Sequence, residues 1–206
     1  MNKPMGKRQQ RRIETEAALV HAVGRVIARD GMDGLGVNAV AKEAGVDKVL
    51  IYRYFDGLPG VLRAFGESAD FWPTVEEVVD EPLERFAAHG SRARLSREFM
   101  ENYLKGIRSR PLCVEILAWE PANRNALTIE LETTRMNWDR KLVKRIMQAE
   151  VGLTKEALVF HSILAAAMNY LVARKQLRVF GDLDLGSEEG WREVFDVIER
   201  ALTALE

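Results

Sequence analysis

The stretch Val37–Phe55, VNAVAKEAGVDKVLIYRYF, constrains this chain more than any other. Val37, Val40, Ala41 and Ala44 fall at i, i+3, i+4 and i+7, which puts them on one face of a short helix. Gly45 ends that helix, because a helix stops most cheaply on a residue that tolerates a left-handed backbone. Val46 fills the corner. Asp47 can cap a second helix by accepting its unpaired backbone N–H groups. The spacing predicts that second helix over Lys48–Phe55, with Ile51 and Phe55 inward and Lys48, Val49, Tyr52 and Arg53 outward. Two short helices around a glycine turn let one helix lie in a DNA major groove while the other crosses the backbone. An ordinary corner between two helices has the same spacing.

The residues themselves narrow the choice. Val40-Ala41…Ala44-Gly45-Val46…Ile51-Tyr52…Tyr54-Phe55 resembles the DNA-binding domain of TetR/AcrR-type regulators, and Gly31-Met32-Asp33-Gly34-Leu35 resembles that family's turn between its first two helices. The resemblance covers about residues 10–66. It implies an all-α fold: an N-terminal three-helix helix-turn-helix domain (residues 1–57) joined to a larger helical ligand-binding and dimerisation domain (residues 58–206). It also implies a transcription regulator, a repressor that binds a palindromic operator as a homodimer and is released by a small, fairly apolar effector. The candidate DNA contacts are Arg11, Arg12, Asn38, Lys48, Val49, Tyr52, Arg53 and Tyr54. Three departures from the family pattern stand out. Gly57-Leu58-Pro59 replaces the usual Ser-Lys-Glu, so a phosphate-touching lysine is missing. Gly36 replaces a threonine. Val49 and Leu50 stand where small or hydroxyl residues are common.

Charge is distributed to match. The net charge is −1, but residues 1–65 hold 11 Lys/Arg against 7 Asp/Glu and the remainder 19 against 24. A basic first third suggests that this part meets a polyanion. Lys3, Lys7, Arg8, Arg11 and Arg12 precede the first acid, Glu14, and read either as a solvated tail or as an arm that neutralises phosphates. The first helix is expected over about Ile13–Arg29, with Leu19, Val20, Val23, Val26 and Ile27 as its apolar stripe. Pro59 suits the first turn of a helix expected over Pro59–Phe71, and Phe71-Trp72-Pro73 is the expected hinge.

Beyond the hinge the periodicity stays helical. Helices are expected from Glu81-Pro82 to His89, Ser91 to about Ser109, Leu112 to Glu120, Asn123 or Asn125 to about Val151, Lys155 to Phe180 and Glu188 to Leu205, with 181–186 as a loop and no strand. Ile163, Ala166 and Tyr170 on one of the last two helices, and Trp191, Phe195 and Ile198 on the other, are the candidate dimer interface, since TetR-type proteins pair through their last two helices. Packing within one subunit would produce the same stripes. Phe99, Tyr103, Cys113, Trp119, Met136 and His161 are the candidate effector-pocket residues, apolar walls with a few polar groups being how small molecules are usually held.

No signal segment is expected, because residues 1–12 are polar and basic. Ile163–Ala173, the most apolar run, falls short of the roughly 20 residues that span a bilayer. One cysteine, Cys113, excludes an internal disulfide and suits a reducing cytoplasm, although a metal-free secreted protein is also compatible with a single cysteine. No catalytic residue, metal site or cofactor is expected: no glycine-rich phosphate loop appears, and His21, His89 and His161 are far apart in sequence. The rival to a regulator is an all-helical protein-interaction module without sequence-specific DNA binding.

Overall fold

A computed structural model describes residues 6–68, 71–174 and 178–204. It is all-α apart from one two-stranded hairpin, and it separates into two compact units: Met1–Phe71 with Trp119–Arg135, and Trp72–Ala118 with Met136–Glu206.

In the first unit, α1 (Lys7–Asp30) is followed by a 3-10 turn (Met32–Gly34), α2 (Val37–Ala44), α3 (Val49–Phe55) and α4 (Leu58–Gly66). The core is the expected one. Leu19, Val23, Val26 and Ile27 of α1 meet Val40 and Ala41 of α2, Ile51 of α3 and Val61, Leu62 and Phe65 of α4, all at most 5 % exposed. Gly45 does adopt the left-handed conformation (φ 68°), and the Asp47 carboxylate accepts the Val49 N–H at 2.8 Å. Arg25 (2.7 Å) and Arg29 (2.5 Å) both pair with Glu43, fastening α1 to α2. The first half of α8 (Ala126–Gln148) packs on α4 in this unit. Arg63 makes a two-pronged bond to Glu130 at 2.9 and 3.0 Å, and Gly66 lets α4 approach Leu131 and Thr134.

The second unit contains α5 (Val75–His89), α6 (Arg92–Arg108), α7 (Pro111–Trp119, all but its last residue), the second half of α8, α9 (Lys155–Ala173), strands β1 (Val179–Phe180) and β2 (Leu183–Asp184), and α10 (Glu188–Thr203). Leu95, Phe99, Tyr103 and Ile107 run down α6 at four-residue spacing and are at most 5 % exposed. α10 lies against α6. Arg97 of α6 reaches both Glu199 (2.8 Å) and Asp196 (2.5 Å) on α10.

Four expected boundaries were misplaced. α1 starts at Lys7, six residues early, because Gln10–Glu14 and Arg12–Glu16 pairs support a turn with no apolar stripe. Arg11 and Arg12 are therefore helical; Lys3 lies outside the described residues. α4 ends at Gly66 rather than Phe71. α5 starts at Val75, where Thr74 and Glu77 form a capping box, and Pro82 sits inside it. α9 ends at Ala173, and residues 179–184 form an antiparallel hairpin pairing Val179 with Asp184 and Phe180 with Leu183. The hairpin replaces the strand-free loop read from the sequence. By length and composition alone, α9 is also apolar enough to cross a membrane, a capacity the sequence reading denied to this region.

Candidate nucleic-acid interface and effector cavity

The helix-turn-helix presents its side chains in two opposite sets. Ile51 has no exposure and anchors α3 to the core, while Val49 and Tyr52 are 53 % and 58 % exposed. Lys48, Arg53 and, on α2, Asn38 are exposed with them; Tyr54 and Leu50 are half-buried. The start of α1 and the end of α3 line one open groove of about 790 Å³, whose wall includes Arg8, Arg12, Arg53 and Tyr54. The Arg12 guanidinium lies 5.1 Å from the centre of the Tyr54 ring and 2.7 Å from Glu16. The Glu16 carboxylate, through hydrogen bond and charge, holds the Arg12 pKa above its ordinary value. Arg12 is thus a fixed cation pre-set beside α3. Arg11 is exposed but does not line the groove. Arg8 was not among the candidate contacts; its place about three turns ahead of Leu19, the start of the apolar stripe, becomes a signal only once α1 is known to begin at Lys7.

The six candidate pocket residues separate. Phe99, Tyr103 and His161 line one apolar cavity of about 60 Å³ in the second unit, together with Trp138, Leu142 and Leu158. Cys113, Trp119 and Met136 do not line it: Cys113 is fully buried elsewhere and Met136 is 44 % exposed. Trp138 joins the ring cluster with Trp72 and Tyr103, at 6.4 and 5.9 Å between centroids. At this size the cavity is well below the ~300–1,000 Å³ of a typical small-molecule site. Burial lowers the His161 pKa, which favours the neutral ring.

The candidate dimer residues separate as well. Ile163 (60 % exposed), Ala166 and Tyr170 (56 %) face outward on α9. Trp191, Phe195 and Ile198 are at most 8 % exposed and form the inward face of α10, with the Trp191 indole N–H donating to the Leu185 carbonyl at 2.8 Å. A second stripe on α10 is less buried, with Val194 half-buried and Val197 and Ala201 exposed.

Residues 19–64 match the family model of the bacterial regulatory proteins, tetR family. No curated protein matches the sequence. Among solved structures, the chain is similar to a TetR family transcription regulator from Marinobacter aquaeolei VT8 (19 % identity, TM-score 0.55, covering 94 % of this chain and 97 % of the other). It is likewise similar to a putative TetR-family transcriptional regulator from a Rhodococcus species (23 %, 0.55, 93 % and 98 %). A third is the fatty acid degradation regulator FadR from Bacillus halodurans (15 %, 0.59, 97 % and 96 %). Residues 19–64 thus match the tetR-family DNA-binding domain, and the chain shares its helical fold with TetR-family regulators along more than nine-tenths of its length.

Proposed function

We propose that this protein is a TetR-type, DNA-binding transcription regulator and acts as a repressor: a homodimer that reads a palindromic operator and leaves it when a small apolar molecule binds the second unit. The observation that carries the DNA-reading assignment is the exposure of Lys48, Val49, Tyr52 and Arg53 on a helix whose other side is pinned by Ile51, with Arg12 beside it. Val49 is suited to pack on a thymine methyl and Lys48 to reach a base edge or phosphate. A short reading helix touches few base pairs, so a two-fold dimer with reading helices roughly 34–36 Å apart doubles the contacts.

Selection of bound sequences from random duplex DNA at physiological salt tests the assignment. A single palindromic motif is the expected result. Binding without a motif that vanishes as salt rises would indicate charge attraction alone and favour the interaction-module alternative. Lys48→Ala is expected to weaken binding and relax preference at one position of each half-site. Arg12→Ala is expected to weaken all sequences alike and reduce the salt slope by about one unit. Unchanged binding in both variants would refute the docking.

Release is proposed to run through α8. Its second half supplies Trp138, Leu142 and Ile146 to the cavity wall, and its first half grips α4 through Glu130–Arg63. A ligand that displaces this helix therefore has a continuous element with which to pull on α4, near the Phe71–Trp72 point where the chain passes from one unit to the other. Coupling of about 1–3 kcal/mol would lower operator affinity roughly 5–150-fold. Glu130→Gln is expected to keep operator affinity within about twofold while shrinking the ligand's effect, as the loss of one exposed ion pair is small by itself. A full ligand response in Glu130→Gln, measured by operator titration with and without effector, would refute this route.

A further inference from the structure

The cavity wall contains two polar atoms that packing does not account for. Trp138 Nε1 and His161 Nε2 are both buried without a hydrogen-bond partner in the chain, and both residues line the same apolar space. Buried polar groups are normally paired, and one left over calls for a reason. The remaining polar groups around the cavity have theirs. Tyr103 Oη and Asn169 bond each other at 3.0 and 2.8 Å, and Ser162 Oγ donates to the Leu158 carbonyl at 3.1 Å. Asp139 stands exposed at the rim.

The two leftover nitrogens are opposite in kind. An indole N–H can only donate. His161 Nδ1 lies 2.5 Å from the Ala157 carbonyl oxygen, which can only accept, so the ring proton sits on Nδ1. In the neutral ring Nε2 is then a bare acceptor. Desolvation lowers the His161 pKa and so favours that neutral form. The lining thus offers one donor and one acceptor in a mainly apolar setting.

We propose that this cavity binds the hydroxyl end of an uncharged, mainly apolar molecule, an alcohol or a phenol, whose O–H donates to His161 Nε2 and whose oxygen accepts from Trp138 Nε1. The proposal rests on the effector-binding function proposed above and names the chemistry of its ligand. A hydroxyl group carries both the acceptor and the donor that the two nitrogens lack. An ether oxygen only accepts and leaves Nε2 unpaired. A carboxylate only accepts too, and would need His161 protonated against its burial. A space of about 60 Å³ suits a head group rather than a whole ligand. The tail is placed towards Val143 and Ser162, which with Asp139 are the exposed residues of the lining.

The test uses the full-length wild-type protein and three probes of similar size: 1-octanol, its isomer 1-methoxyheptane, and octanoate, with affinities from calorimetry at neutral pH. Octanol is expected to bind about tenfold or more tighter than the other two, because each of them strands a buried polar atom. His161→Phe and Trp138→Phe are each expected to bring alcohol and ether within about twofold of one another. The wild-type comparison stands even if either variant fails to fold. Equal affinity for octanol and the ether, or tighter binding of octanoate, would overturn the hydroxyl proposal and leave an effector site of different chemistry. Binding of none of the three, with a buried water bridging the two nitrogens in a crystal, would overturn it as well. The effector-binding function fails separately, if no compound from a broad apolar panel releases the protein from its operator.

Discussion

Gly60→Ala is expected to unfold the reading helix from its support and to abolish operator binding. α3 ends at Phe55, Asp56 takes a left-handed backbone (φ 59°), Gly57 follows at φ 107°, and α4 begins at Leu58. This tight reversal sets Gly60 so close to α3 that a Cβ there would overlap the Phe55 carbonyl oxygen and carbon. Both are backbone atoms, so no rotamer change relieves the overlap; α4 must move relative to α3. Helix propensity pulls the other way, since alanine is favoured over glycine inside a helix by about 1 kcal/mol. Steric strain of this kind costs about 3 kcal/mol, and it wins. The thermal midpoint by circular dichroism should fall, with operator affinity lost at temperatures where the variant is still folded. Gly36 provides the control. It caps α2 in an extended conformation (φ −164°) with open space around its Cα and no capping side chain. Gly36→Ser should therefore gain a few tenths of a kcal/mol. A Gly60→Ala protein as stable as wild type would mean that α3 and α4 are not locked together in this way.

Features of the fold that depend on neighbours in sequence were legible from the start. The turn at Gly45, the Asp47 cap and the Ile51 anchor are local: each follows from three or four adjacent residues, and each was found. The hairpin at 179–184 was not, because what holds it lies elsewhere. Gly190 admits the Asp184 carbonyl against α10, and Trp191 donates to Leu185. Two-residue strands leave no alternating pattern to read. The cavity was half legible for the same reason. Phe99 and Tyr103 share a helix face, but that Trp138 joins them while Trp119 and Met136 do not is decided by where α8 lies. The two faces of α10 show a further limit. Periodicity marks Trp191, Phe195 and Ile198 as apolar and equally marks Val194, Val197 and Ala201. It says nothing about which stripe the chain keeps for itself, and the bulkier one went inward.

That inversion leads to the second large effect, Ile163→Asp, which is expected to convert a dimer into monomers and to reduce operator affinity by at least about 100-fold, towards the non-specific level that lies ~10³–10⁷ below specific binding. α9 turns Val159 (52 % exposed), Ile163, Ala166 and Tyr170 to the surface at i, i+4, i+7 and i+11. Continuous apolar stripes of this kind mark contact surfaces. A membrane is a poor occupant. The opposite side of α9 buries His161 and Met168 in its own unit, and Asn169 is bonded to Tyr103, so only one face is apolar and open. A second copy suits it: the alanines permit close helix approach, and two-fold pairing is what a palindromic operator requires. Because Ile163 makes little contact within its own chain, the monomer's own stability should change by only about 0.5 kcal/mol. Trp191→Ala should do the reverse, costing about 3–5 kcal/mol of fold stability, since that side chain is 3 % exposed and packs inward. Sedimentation equilibrium with chemical denaturation of both variants separates the two faces. If Ile163→Asp remained a dimer with full operator affinity, the pairing surface would have to lie off α9; if Trp191→Ala dissociated without losing stability, the assignment of the α10 faces would be reversed.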